Sequence, residues 1–412
     1  MRKAMRPIDR RFARRYTLLQ CSYWPLSALA SGFLAASMTN AGLRSSVTGM
    51  IICMALVAAT LLQPYLSSVV DRSEKVTSRM IMLGIAGLIG LMNLIMWLLP
   101  DSQVVFAICA GVVCTLVNCV EPFLCSMSLD MMRSGILIDF SRSRGCGSLS
   151  YAATILILGK LIEKFGYSFT RWMTAAVAVF VLYQLWAFRA PRDMEQPEAD
   201  VRAEKQQAQS TGAFLKSHIS FVIIMCGVAL FSGGQSIVGT FLHLVIDEVG
   251  GTSATQGLAM CFASGSEMPA MLLFMFLRRQ RLSSGTIFRI ASVFYVTKPL
   301  AMLLALALHS EWAVVFGMLT QGLSLGLYIP LIPYFVSVTI DRANQVKGQA
   351  LLATASCMGS AASNLFGGAV CDLLGVRGSL LFSVFLTAAG SACIFIATAK
   401  QKKTGREMRI HY

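Results

Sequence analysis

Twelve apolar stretches, each long enough to cross a lipid bilayer, take up most of this chain. A spanning helix needs about 20 mostly apolar residues. The stretches lie near 17–39, 46–69, 79–99, 103–128, 141–162, 170–188, 219–246, 254–277, 285–308, 312–339, 348–371 and 379–398. Of the 412 residues, 56% are hydrophobic and only 13% charged, whereas a soluble domain is about a quarter charged. The solvent for such a chain is lipid. The runs are continuous rather than alternating, which excludes a β-barrel. Backbone polar groups in lipid must be satisfied internally, so the expected fold is all-α, with twelve transmembrane helices. The first run follows a basic leader and is too long for a signal-peptide core, so it reads as a retained first helix.

Three ionisable side chains sit near the middle of these runs: Glu121, Glu267 and Lys298. A charge at that depth costs roughly 2.5–3.5 kcal/mol on insertion scales and marks a substrate or ion pathway by default.

The other cations set the orientation. Of 35 Lys and Arg, the first seven (Arg2, Lys3, Arg6, Arg10, Arg11, Arg14, Arg15) precede the first stretch. With both termini cytoplasmic, only Arg44, Lys160, Lys164, Arg171 and Arg377 fall on the far side. The net charge of +15 is therefore a positive-inside signal with some attraction to anionic lipid. It is not a nucleic-acid footprint. A multi-pass protein of the cytoplasmic (inner) membrane follows. The twelve cysteines include no CxxC, and His218, His243, His309 and His411 are scattered. Neither a metal site nor a nucleophile–base pair is indicated, which argues against an enzyme, and no cofactor is implied.

The longest polar stretch, 190–217, reads APRDMEQPEADVRAEKQQAQSTGAFLKS. It divides the chain into an N-terminal six-helix bundle, 1–189, and a C-terminal six-helix bundle, 218–412, with a basic tail. The two halves share one local pattern. Gly159-x3-Glu163-x2-Gly166 ends the fifth stretch and Gly368-x3-Asp372-x2-Gly375 ends the eleventh. Internal repeats with a site at mid-membrane depth characterise secondary transporters.

At this point the chain resembles the major facilitator superfamily (MFS) transporters. The segment Ser67-Ser68-Val69-Val70-Asp71-Arg72-Ser73-Glu74-Lys75 is similar to the family pattern Gly-x3-Asp-Arg/Lys-x-Gly-Arg/Lys. Asp71, Arg72 and Lys75 match; Ser67 and Glu74 stand where glycines are usual. The resemblance implies a conformational latch formed by Ser67, Asp71, Arg72 and Lys75, and two pseudo-symmetric bundles.

Residues 140–151, FSRSRGCGSLSY, resemble the aromatic-Gly-Arg-x-Arg-x-x-Gly segment of the oligosaccharide:proton symporters, the lactose permease group, and of their nucleoside and phenylpropionate relatives. Gln63-Pro64-Tyr65 and Ser266-Glu267 agree with that group. The resemblance implies that Arg144 binds substrate hydroxyls and pairs with an acid of the fourth helix. The group's acid position holds Cys125, so Glu121, one turn earlier on the same face, is the expected partner. Tyr151 takes the place of the aromatic that stacks on the sugar, and Lys298 falls where the group has an Arg. The group's charges on helices 7, 10 and 11 are missing; Gln235, His243, Gln321, Met358 and Asn364 stand in those helices.

The expectation is a secondary active transporter for proton-coupled symport of a sugar, nucleoside or similar small polar metabolite. Arg144, Glu121, Tyr151, Gln235, Gln321 and Asn364 are its candidate substrate-binding residues, and Glu267 and Lys298 its proton-coupling pair. Efflux of drugs or metabolites by the same fold is the alternative. A non-transporting membrane sensor, which would usually carry a signalling domain, is the third reading. The partners implied are substrate, protons and lipid, with the chain acting as a monomer.

Overall fold

The computed structural model describes residues 7–73, 76–133, 136, 140–188, 211–280, 282–341 and 344–403. Its regular elements are helical. In order they are α1 (Pro7–Ser31), α2 (Leu34–Asn40), α3 (Ser45–Arg72), α4 (Ser78–Leu98), α5 (Gln103–Arg133), α6 (Phe140–Phe165) and α7 (Ser168–Ala187). Next come α8 (Thr211–Ser217), α9 (Ile219–Thr240), α10 (Leu242–Glu248), α11 (Ser253–Arg279), α12 (Ser284–Leu308) and α13 (Glu311–Met318). A π-helical turn (Gly322–Gly326), α14 (Leu327–Thr339) and α15 (Gln345–Lys403) complete the series. Each expected stretch is mainly helical, and the fold is all-α among the described residues.

The starts and breaks have local causes. Thr77, Ser283 and Ser310 each accept a backbone N–H from three residues on, the usual use of a hydroxyl at a helix N-terminus. The tenth stretch is not one helix, because the π turn interrupts it between α13 and α14. The last two stretches run together as α15, broken only where Gly375 adopts φ 69°. A left-handed residue of that kind is easiest for glycine. Part of the polar stretch after position 189 is also regular: Thr211–Ser217 forms α8.

Many large apolar side chains stay uncovered by the protein, among them Leu61 at 71%, Trp186 at 60% and Leu373 at 82% exposure. Among the described residues, nine helical spans are long and apolar enough to cross a membrane, with α15 counted as one and α13, the π turn and α14 together as another. The protein is a multi-pass membrane protein.

The chain forms two compact units. Unit 1 comprises Met1–Leu43, Met54–Gln196 and Thr252–Cys261; unit 2 comprises Arg44–Cys53, Pro197–Gly251 and Phe262–Tyr412. The repeated glycines explain the two exchanged segments. In unit 1, a Cβ on Gly159 would meet the Ser253 carbonyl at 2.5 Å and the Gly257 Cα at 3.0 Å. In unit 2, a Cβ on Gly368 would meet the Ser45 carbonyl at 2.4 Å, and one on Gly49 would meet the Asn364 carbonyl at 2.1 Å. Both crossings bring backbone against backbone, as small residues allow in lipid. The repeated acids differ: Asp372 accepts the N–H groups of Ser45 and Ser46 at 3.0 and 2.9 Å, while Glu163 is exposed.

Candidate functional site

Unit 1 assembles its site around a proline. Pro122 sits inside α5 and has no N–H, so the carbonyl of Asn118, four residues earlier, lacks its usual helical donor. Gln63 of α3 supplies one, with Nε2 at 2.6 Å from that oxygen. Glu121, the residue before the proline, lies 3.5 Å from Arg144 Nη2. Arg144 also donates through Nη1 to Ser148 Oγ, one turn along α6, at 2.7 Å. The structure thus brings Glu121 and Arg144 together.

Arg144 does one thing the sequence did not suggest. Its guanidinium lies over the indole of Trp24 in α1, 3.9 Å from the ring centre, a cation–π contact. The contact is possible because position 147 is glycine: a Cβ there would fall 2.3 Å from Trp24 Cδ1. Trp24 is oriented by a buried chain of hydrogen bonds. Its Nε1 donates to Gln20 Oε1 at 2.8 Å, Gln20 Nε2 donates to the Tyr16 hydroxyl at 2.8 Å, and Tyr16 donates to the Leu124 carbonyl at 2.9 Å. Tyr151 stands edge-on to Trp24, with ring centres 6.4 Å apart. The flat surface beside Arg144 is therefore Trp24, and Tyr151 is its wall. The spacing Gln20-x3-Trp24 is a legible signal for one helical face; the seat on Gly147 of another helix is not. With the Glu121 side chain 59% accessible and that of Arg144 24%, the group presents a forked donor, a carboxylate acceptor and an indole face.

Unit 2 repeats the proline device with different surroundings. Pro299 in α12 leaves the Tyr295 carbonyl without its helical donor. Gln235 of α9 donates Nε2 to that oxygen at 2.9 Å. Lys298, the residue before this proline, is only 3% exposed. Its ammonium donates to Gln321 Oε1 at 2.7 Å, and Gln321 Nε2 donates to Glu267 Oε1 at 2.8 Å. The amide faces each charge with its matching end, so Gln321 joins the two ionisable residues.

The π turn makes this possible. A Cβ on Gly322 would meet the Ser266 carbonyl at 2.5 Å, and one on Gly326 would meet the Glu267 Cα at 3.0 Å. Two glycines let this turn lie directly on α11, with Gln321 at its edge. Single π turns recur at functional positions. On the same helix as Lys298, Tyr295 stacks on Phe231 with ring centres 4.2 Å apart.

The remaining candidates fall elsewhere. Asn364 is fully buried, with Nδ2 donating to Ser236 Oγ at 2.7 Å and the Ser360 carbonyl at 2.8 Å. Its Oδ1 is buried without a hydrogen-bond partner. Ser67 lies in α3, half-buried. The side chains of Asp71 and Arg72, and Lys75 altogether, lie outside the described residues.

The fold is that of a multi-pass membrane protein with an ionisable residue before a helix proline in each unit, and the comparisons make its class a transporter of the major facilitator type. The chain belongs to the MFS_1-like family, whose model matches residues 20–382. It is 24% identical to the maltose permease of Geobacillus stearothermophilus over 409 residues, covering 95% of both chains. Among solved structures, a mutant of the nucleoside transporter NupG superposes with a TM-score of 0.78 at 12% identity, covering 94% of this chain and 99% of that one. A mutant of the peptide transporter POT, in complex with sulfate, gives 0.72 at 11% identity, covering 96% of each. These two likenesses are of fold. The family and its relatives are transporters of small molecules embedded in the membrane, not enzymes.

Proposed function

We propose that this transporter couples the entry of a small polar, hydroxyl-bearing solute to protons. The observation that carries the reading is the chain Lys298–Gln321–Glu267, with its buried cation tied through one amide to a carboxylate. A charge held in such a place is rarely kept for stability alone. Proton uptake by Glu267 removes the charge that balances Lys298. Rearrangement of Gln321 then links the protonation state to what the neighbouring helices bind. Arg144, Glu121 and Trp24 supply the recognition surface: the fork and the carboxylate address hydroxyls, and the indole packs on a ring face.

The relative named maltose permease makes oligosaccharides the first class to try, with nucleosides second. In this reading, 1–189 and 218–412 act as the two moving bundles, joined by 190–217. Both termini face the cytoplasm of an inner-membrane monomer, and Ser67, Asp71, Arg72 and Lys75 form a latch between helices.

Proteoliposomes with a pH dye inside test this. A coupled solute, added outside without any imposed gradient, acidifies the interior; its removal reverses the signal. A panel of oligosaccharides and nucleosides that binds the purified protein but moves no protons contradicts the coupling. If instead an imposed proton gradient drives solute out against its own gradient, the direction is efflux.

A further inference from the structure

The two helix prolines next to ionisable residues form a matched pair. In unit 1 the order along α5 is Asn118, then Glu121-Pro122; in unit 2 the order along α12 is Tyr295, then Lys298-Pro299. In both, the carbonyl four residues before the proline receives a glutamine Nε2 from a different helix, at 2.6 and 2.9 Å. A proline in a helix interior removes one hydrogen bond and tends to kink the helix there. The side chain immediately before it then points wherever the kink leaves it. An outside donor on the freed oxygen fixes the two helices to each other at that point.

We propose that Gln63 and Gln235 are positioning residues: each caps the carbonyl that a helix proline has freed, and so sets the direction of Glu121 or Lys298. Gln235 then acts through Lys298 rather than by touching substrate, and Gln63 acts through Glu121. The transport arm of the test rests on the function proposed above; the stability arm does not, so the two can fail separately.

Restoring the backbone donor provides the test. Pro299→Ala returns an N–H to position 299, which gives the Tyr295 carbonyl an intrahelical partner and makes Gln235 dispensable. Four purified proteins are compared: the natural chain, Gln235→Leu, Pro299→Ala and the double variant. Gln235→Leu is expected to lower the melting temperature by about 2–4 °C in the natural background. In the Pro299→Ala background the drop is expected to disappear, which is strong coupling in a double-mutant cycle.

Apparent affinity in solute exchange follows the same pattern, with a loss of about fivefold, the worth of one ordinary hydrogen bond, that Pro299→Ala relieves. Gln321→Leu serves as control, because its partners are side chains and Pro299→Ala gives no relief. The Gln63→Leu and Pro122→Ala cycle repeats the measurement in unit 1 and carries the test if Gln235→Leu does not fold. Additive effects in the cycles overturn the proposal. So does a loss of affinity in Gln235→Leu that Pro299→Ala leaves unrelieved, which makes Gln235 a direct substrate ligand.

Discussion

The two ionic groups of this transporter are built on one plan and end in different environments. Each places an ionisable residue before a helix proline and a glutamine on the freed carbonyl. In unit 1 the result is open: Glu121 is more than half accessible and its contact to Arg144 is long, 3.5 Å. In unit 2 it is closed: Lys298 is buried and reaches Glu267 through Gln321 in two short bonds. Open charges with spare donors and acceptors are suited to binding a solute. Closed charges that must balance each other are suited to storing a proton, because any change in one is felt by the other.

Removing the buried cation should have the largest effect. Lys298→Met leaves Glu267 without its balance and is expected to cost about 3 kcal/mol of stability, the low end for a broken buried pair because Glu267 can take up a proton. Adding Glu267→Gln should recover most of that loss, which thermal unfolding of the purified variants measures. If Lys298→Met is harmless, the contrast between the two units collapses.

Next comes Arg144→Lys. Lysine lacks the planar fork and stacks less well on Trp24. Solute affinity is expected to fall about tenfold, or about 1.4 kcal/mol, with the melting temperature nearly unchanged. Equilibrium binding decides, and unchanged affinity removes Arg144 from the binding surface.

Gly147→Ala tests the platform. The added methyl meets the indole at 2.3 Å, so Trp24 must tilt, at a cost of about 1–3 kcal/mol for overpacking. Affinity for ring-bearing solutes should drop, which equilibrium binding measures. The smallest effect is expected from Glu121→Ala on stability, below about 1 kcal/mol, because its contact to Arg144 is long and more than half of its side chain is uncovered by protein. A large loss there would show unit 1 to be as closed as unit 2.

The spans are legible in the sequence, because each is set by a run of apolar residues whose length the bilayer dictates. The Glu121–Arg144 pair is legible through the resemblance to the symporter group, with one helical turn of displacement that a long Arg bridges. The resemblance points to Glu267 and Lys298 but not to the link between them: Gln321 lies at a π turn whose glycines matter only against another helix. Trp24 escaped notice for the same reason, as its partners Arg144 and Gly147 belong to a different helix. A glutamine in an apolar run reads as a cavity-lining candidate, and nothing in its own sequence surroundings signals the bond of Gln235 to the Tyr295 carbonyl, which is a fact of packing. The prolines themselves were visible, and with them the carbonyls that need donors. Which side chain answers that need is set by the fold.

The proposed role of Glu267 in proton coupling has a direct test. Glu267→Gln keeps the size and the hydrogen-bonding shape of the side chain and removes its titration. In proteoliposomes the variant should still exchange labelled solute across the membrane at a rate near that of the natural protein, and should fail to accumulate solute when a proton gradient is imposed. Accumulation that survives the substitution intact would contradict the account.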